Sequence, residues 1–364
     1  MIRYIVAFLL FVHGMIHILG FAKAFSIGEI PQLTKHISKS IGILWFLTMV
    51  LFAITTIFFL YKKDYWWAFG IAALVLSQIL IIVSWQDAKY GTIANLIILP
   101  AILIGFFSWN FRSSYQKDVN ENLLNNSAVK KIVTEKDLQK LPPVVQKYLR
   151  YTNVVNKEGV SNFKVIFNGE MRGKDKKWFT FKSEQYNFTD APTRLFFMDA
   201  IMKRLPFAGY HRYREGKASM TIKLISQFPI VDLKNDELNR AETVTYFNDL
   251  FLMAPGALID DRIQWGTSDS SSAIAMFTTN GISISAVLYF NEKGQLINFV
   301  SDDRYDTSGG QPVRHRFSTP VKEYKNVNGI NVVSYGEAVW HYPEGDFVYG
   351  KFYLESIQYN LKSK

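Results

Sequence analysis

His13 and His17 stand four residues apart within an otherwise apolar run. That is just over one helical turn, so both imidazoles lie on one face of a helix. Two imidazoles so placed can bind a metal or a haem iron, or serve a quinone. The competing chemistry is hydrogen bonding between helices, with Gln78 and Asn95 available in neighbouring apolar runs. No Asp or Glu lies in those runs to complete a metal shell. His13 and His17 are the metal candidates, hydrogen bonding is their favoured role, and no motif calls for a cofactor.

A second group of residues is aromatic and basic: Trp178, Tyr186, Tyr210, Arg212, Tyr213, Arg304, Tyr305 and Trp340. Where strands curl round a cavity, inward aromatics line it and a buried Arg pairs with a carboxylate or phosphate. Trp178, Tyr210, Arg212, Arg304, Tyr305 and Trp340 are the ligand-binding candidates, against the plainer role of core packing. Strand alternation puts Arg212 and Arg214 on one face and Tyr213 on the other. The candidate acids are Asp199, Glu215, Glu242, Asp260, Asp261, Asp302 and Asp303. Asp302-Asp303 reads as solvated charge at a strand end, with Arg304 as its ion-pair partner. His211, His315 and His341 each fall in an apparent strand. Catalysis would require at least two of His211, Arg212, Glu215 and Asp303 to meet within hydrogen-bond reach. No nucleophile elbow, phosphate loop or dinucleotide fingerprint is present, and Gly309-Gly310 reads as a polar turn.

The elements that must position these residues fall into two parts. Of the 364 residues, 49% are hydrophobic and 20% charged, unevenly distributed. Residues 1–111 hold seven Lys or Arg and three acids, whereas 112–364 is an ordinary charged mixture. Four apolar runs, Tyr4–Phe21, Ile41–Tyr61, Tyr65–Trp85 and Thr92–Phe111, contain no Asp, Glu, Lys or Arg. Their lengths match a hydrocarbon core about 30 Å thick, and backbone in lipid must be helical. Trp66, Trp67, Trp85 and Trp109 sit at run ends, where indoles meet head groups. The short links Lys62–Asp64 and Gln86–Gly91 imply an antiparallel four-helix bundle. Gly14 and Gly20 suggest close helix contact, and Pro100 a kink. Ala22-Lys23-Ala24 loosely fits a signal cleavage site, but three further runs favour a retained first helix. Arg3, Lys62, Lys63, Arg112 and Lys117 outnumber Lys23, Lys35, Lys39 and Lys89, which favours a cytoplasmic carboxyl-terminal part.

With no cysteine, disulfides and thiolate metal sites are excluded. The net charge of +10 is spread among acids with no basic aromatic face, so no nucleic-acid partner is expected.

Residues 112–133 are polar and Asn-rich and read as a linker. Thr134, with Asp137 at the third position, caps a helix, and Pro143 starts the next, Val144–Arg150. From Asn162 the period becomes two. About ten to twelve strands are expected, with turns at 291–294, 326–329 and 343–345 and one helix at about Asn235–Leu252. So long an antiparallel meander curls into a barrel or half-barrel.

The stretches Leu141-Pro-Pro-Val-Val-Gln-Lys-Tyr-Leu, Phe167-Asn-Gly-Glu-Met before Trp178, Tyr213-Arg-Glu-Gly-Lys-Ala-Ser-Met and Asp303-Arg-Tyr resemble an uncharacterised bacterial family, a domain of unknown function. That likeness spans about residues 134–360, implies no activity and carries no catalytic residue. The turn order from Tyr289-Phe-Asn-Glu-Lys-Gly-Gln-Leu to Tyr324–Ile330 is similar to the lipoprotein-carrier fold of bacterial envelopes, implying an open barrel with a helical lid and an apolar interior. The bundle resembles small DoxX-type membrane proteins in layout.

The expected architecture is a membrane α-helical bundle of four spans (1–111), a linker (112–133) and a mainly antiparallel β soluble domain (134–364), an open or half barrel with one or two covering helices. The expected function is a multi-pass cell-membrane protein whose β-rich domain binds a lipid-like or amphipathic ligand. Its partners would be membrane lipid and an apolar small molecule or lipoprotein. The alternatives are a hydrolase-like enzyme, or a redox, haem or quinone bundle using His13 and His17.

Overall fold

The computed structural model describes residues 2–126, 131–202, 205–307 and 311–363. Gly309-Gly310 lies outside the described residues. The chain divides into two compact units, Met1–Ser113 and Ser114–Lys364.

The first unit is helical: α1 (Ile2–Ile16), α2 (Ile18–Ala24), α3 (Lys39–Leu60), α4 (Trp66–Val83), the short α5 (Trp85–Ala88) and the first part of α6 (Gly91–Asn125). Four stretches, Arg3–Ala24, Lys39–Leu60, Trp66–Val83 and Gly91–Asn125, are long and apolar enough to cross a membrane. Large apolar side chains such as Phe8, Ile82 and Leu96 remain exposed on their outer faces. A helix apolar all round suits a lipid environment. The first run is one helix broken at His17. The His17 Nδ1 contacts the His13 carbonyl at 2.9 Å while the His17 backbone N–H turns to Gly14 at 3.0 Å, so a side chain enters the ladder there. Both glycines mark close contact: a Cβ at Gly14 would fall 2.5 Å from Phe52 and one at Gly20 2.1 Å from Trp45. Helix α6 continues through Pro100 to Asn125, so residues 112–125 are helical.

The second unit contains the end of α6, then α7 (Glu135–Leu138) and α8 (Pro143–Tyr151). A capping box of Thr134 and Asp137 starts α7. Strands β1 (Asn162–Met171), β2 (Phe179–Phe188), β3 (Thr193–Met202), β4 (Leu205–Arg214), β5 (Lys217–Leu224) and β6 (Phe228–Leu233) follow. Next come α9 (Asp236–Met253), capped by Asn235, and a 3-10 turn at Pro255–Ile259. The chain ends with β7 (Ile263–Ser268), β8 (Ser272–Thr279), β9 (Ile282–Phe290), β10 (Leu296–Asp306), β11 (Val313–Val327), β12 (Ile330–Tyr342) and β13 (Gly345–Tyr359). Every pairing is antiparallel between sequence neighbours, except that β1 pairs with β13. The sheet is therefore a half-barrel whose edges, among the described residues, are β6 and β7.

Alternation builds the concave face. On β8, Ala273, Ala275 and Phe277 are buried while Ile274 and Met276 face outward. Helix α9 packs against this face through Val244, Phe247, Leu250 and Phe251. The rings of Phe247 and Phe277 stack at 5.1 Å and 8°. On β3 the pattern differs, because Thr193–Met198 are buried on both faces. The outer face is covered by the end of α6, where Tyr115 packs on Phe197 and Tyr210 at 5.3 and 5.4 Å. Hairpins β8–β9 and β11–β12 turn on Asn280-Gly281 and Asn328-Gly329, all four at positive φ, as type I′ connections require.

The sequence reading placed no strand at β6 or β7. Both are edges; β6 carries Pro229, tolerated only where no inner neighbour needs its missing N–H.

Gly169 is required by close approach rather than by dihedral angle. A Cβ there would lie 2.3 Å from the Phe181 ring and 2.6 Å from the Lys351 carbonyl oxygen. Gly169→Val is expected to destabilise the chain by about 1–3 kcal/mol, read as a lowered Tm of the detergent-solubilised protein. An unchanged Tm would contradict this packing.

Candidate functional site

Between α9 and the concave sheet lies a cavity of about 160 Å³. Helical periodicity aims Glu242, Thr245, Asn248, Asp249 and Leu252 of α9 into it. The sheet supplies an apolar wall that includes Phe167, Phe196, Phe317, Val333 and Phe352. Cross-strand register places Gln185, Phe196 and His211 side by side on β2, β3 and β4.

The polar wall centres on Arg194. Its Nε donates to Asp249 Oδ2 at 2.8 Å, Nη1 to Glu242 Oε2 at 3.0 Å and Nη2 to Gln185 Oε1 at 3.0 Å. Asp249 Oδ2 also accepts from Gln185 Nε2 at 2.7 Å and Asn187 Nδ2 at 3.3 Å. His211 Nδ1 lies 3.7 Å from Glu242 Oε1. All three charged residues are buried, a state that only pairing makes tolerable. Burial opposes ionisation of Glu242, but the Arg194 charge and His211 outweigh it and hold the carboxyl down at about 2. Burial dominates at Asp249 and pushes its carboxyl above the usual range despite Arg194. Burial alone would lower Arg194; the two carboxylates outweigh it and raise it. Two acids on one guanidinium are thus driven apart.

Arg304 supplies the cavity's other guanidinium. A bulge between Ser301 and Arg304 interrupts the β10–β11 register and re-aims its side chain. The guanidinium lies 4.1 Å from the Phe317 ring centroid and 5.1 Å from that of Trp340. Nη1 donates to the Tyr349 hydroxyl at 2.7 Å, whereas the buried Nε has no partner among the described residues. The ion pair expected with Asp302-Asp303 is not formed. Asp302 binds Arg316 at 2.8 Å, and Asp303 binds Arg314 at 2.7 Å and the Ser285 backbone N–H at 2.8 Å. On α9, Asn248 Nδ2 donates to Thr319 Oγ1 at 3.0 Å, leaving Oδ1 buried with no partner among the described residues.

Of the six ligand-binding candidates, Arg304 lines the cavity and Trp340 packs behind it. Tyr210 and Arg212 face the other side of the sheet, where Asp118 of α6 accepts from them at 2.6 and 3.2 Å. Trp178 carries the Arg172 and Lys351 cations over its ring at 4.6 and 4.5 Å. Tyr305 is half-buried beside Arg314 in the register and outside the cavity lining. The four residues that a hydrolase would bring together stay apart: Arg212 is with Asp118, Glu215 with Arg214, His211 with Glu242 and Asp303 with Arg314. Arg194, Asn248 and Asp249 escaped the sequence reading. The one available signal was Glu242 and Asp249 seven residues apart on a single helix face.

In the first unit, His13 Nε2 lies 2.8 Å from Asn95 Oδ1 and His17 Nε2 2.9 Å from Ser77 Oγ. Gln78 accepts from Asn95 at 3.0 Å. Both imidazoles join interhelical hydrogen bonds, with Ser77 as the partner not foreseen. Among the described residues no cluster of three His, Asp or Glu could hold a metal ion.

Residues 131–352 match the model of a family described as a family of unknown function, DUF6544. No curated protein matches the chain. Among solved structures, a LolA superfamily protein from Nitrosomonas europaea is similar at 9% identity and a TM-score of 0.34, covering 59% of this chain and 93% of its own.

Glu242 sets the expected acid response. Its folded-state pKa lies below its unfolded value, so it contributes stability above the ordinary carboxylate range and loses it as pH falls towards about 2. Thermal unfolding of Glu242→Gln from pH 6 to pH 2.5 should show a flatter acid limb than the unmodified chain. Parallel curves would contradict the assignment.

Proposed function

We propose a function for a chain that belongs to the family of unknown function DUF6544: it is a membrane-anchored protein whose β-rich unit binds a lipid-like, amphipathic ligand under α9. The observation that carries this reading is the cavity's two-sided chemistry. An apolar wall of Phe167, Phe196, Val333 and Phe352 is joined in the lining by Asn248 and Arg304, whose buried Oδ1 and Nε have no partner among the described residues. An unmade buried hydrogen bond costs about 1–3 kcal/mol, and a ligand bearing polar atoms would recover it. At about 160 Å³ the space is close to the roughly 150 Å³ apolar cavity that accepts benzene. It therefore suits one chain segment or ring beside a small head group, not a whole two-chain lipid.

The four apolar helices support anchoring in a cell membrane. A tethered binding unit samples a thin shell beside the bilayer, where amphiphiles are concentrated. The excess of Lys and Arg flanking one side of the spans favours the cytoplasmic face for this unit.

Gly336 lines the cavity, and a Cβ there meets only ordinary contacts, the nearest at 3.5 Å. Gly336→Phe should fill the space while leaving the fold intact. The full chain in non-ionic detergent is expected to bind a fluorescent fatty acid such as cis-parinaric acid, and G336F to bind it about tenfold or more weakly with Tm little changed. Equal binding by both proteins would overturn the proposal.

A further inference from the structure

The charged side chains that line the cavity differ in their partners. Glu242 and Asp249 share Arg194, and Glu337 is held by Lys322 Nζ and the Tyr335 hydroxyl, each at 2.8 Å. Every lining carboxylate therefore has its donor. Arg194 in turn spends all three nitrogens on Asp249, Glu242 and Gln185. Arg304 is different. Among the described residues no carboxylate lies within ion-pair distance of it, and its hydrogen bond is the one from Nη1 to Tyr349. Its neighbours Asp302 and Asp303 point to Arg316 and Arg314 instead.

The geometry also fits recognition. The rings of Phe317 and Trp340 pack beside the guanidinium and restrict its orientation. Its buried Nε has no hydrogen-bond partner among the described residues. Side-on approach to a guanidinium edge is how carboxylates and phosphates bind in bidentate fashion. A lysine in this place would offer a point charge and no fork.

We infer that Arg304 is the head-group site of the cavity and selects an anionic amphiphile, a carboxylate or a phosphate on a single apolar chain. This rests on the ligand-binding reading above. The chain segment lies along Phe167, Phe196, Leu252 and Phe352, and the head group meets the Arg304 guanidinium that lines the cavity. The head group then gives Arg304 the ion-pair partner that no described carboxylate provides.

The test is competition against cis-parinaric acid on the full chain in non-ionic detergent. The competitors are palmitic acid, monohexadecyl phosphate and uncharged hexadecanol, tried against the unmodified protein, Arg304→Gln and Arg304→Lys. One or both anions are expected to bind about tenfold or more tightly than hexadecanol, since a hydrogen bond to a charged group is worth about 1.5–3 kcal/mol. Whichever anion binds more tightly identifies the head-group chemistry. R304Q should bring the anions to within about twofold of hexadecanol while leaving hexadecanol unchanged. R304K, which keeps the charge but loses the fork, should narrow the gap severalfold and covers the case in which R304Q does not fold. Equal binding of all three competitors by the unmodified protein, or a gap that survives both variants, overturns the inference while the cavity reading stands. Failure of every amphiphile to displace the probe, with G336F without effect, removes the cavity reading itself.

Discussion

The buried guanidinium of Arg194 is the interaction on which the second unit is organised. It reaches from β3 across the concave face and holds two carboxylates, Glu242 and Asp249, two turns apart on α9. A charge in that position is tolerable only when paired and hydrogen-bonded, and Gln185 gives the third nitrogen its acceptor. The consequence is geometric. Helix α9 is fixed in rotation and in height over the sheet, so the residues between the two carboxylates always face the same strands. Apolar packing of Phe247 and Phe251 supplies adhesion but little directional control. Polar pairing supplies the direction.

A cavity persists because that pairing competes with closure. Collapse of α9 onto Phe167, Phe196 and Phe352 would bury more apolar surface. It would also break the geometry at Arg194 and leave buried charges uncompensated, at a cost of about 3–5 kcal/mol that opposes closure. The same cavity carries Arg304, turned inward by a bulge. The two arginines differ in consequence: Arg194 is ion-paired and structural, whereas Arg304 has no ion pair among the described residues and its buried Nε has no partner.

Much of the architecture was legible. Uncharged runs of membrane-spanning length, the capping residue Thr134, the Asn328-Gly329 turn and period-two alternation all report local physics, and helices, cap, turn and strands formed there. Strands β6 and β7 were not legible, because edge strands bury too little to alternate strongly. Residues 112–125 were too polar to read as helix. Their apolar members, Tyr115 and Val119, cover the outer face of β3 and β4, which is why Tyr210 and Arg212 meet Asp118 instead of the cavity. Alternation correctly separated Arg212 from Tyr213, but it does not say which face is concave. The polar cluster was the hardest part. Arg194 meets partners 48 and 55 residues away, and a polar residue in a strand looks the same in sequence whether it faces solvent or an opposing carboxylate. The ion pair expected of Arg304 failed for a related reason: adjacency to Asp302 and Asp303 suggested it, and the bulge decides otherwise.

The most direct test of this account is thermal unfolding of two variants of the full chain in detergent. Arg194→Met alone strands two buried carboxylates and should cost about 3–5 kcal/mol, whereas the triple variant Arg194→Met, Glu242→Leu, Asp249→Leu should regain most or all of that loss. Near-native stability of the single variant, or no recovery in the triple, would show that Arg194 does not hold α9 in place.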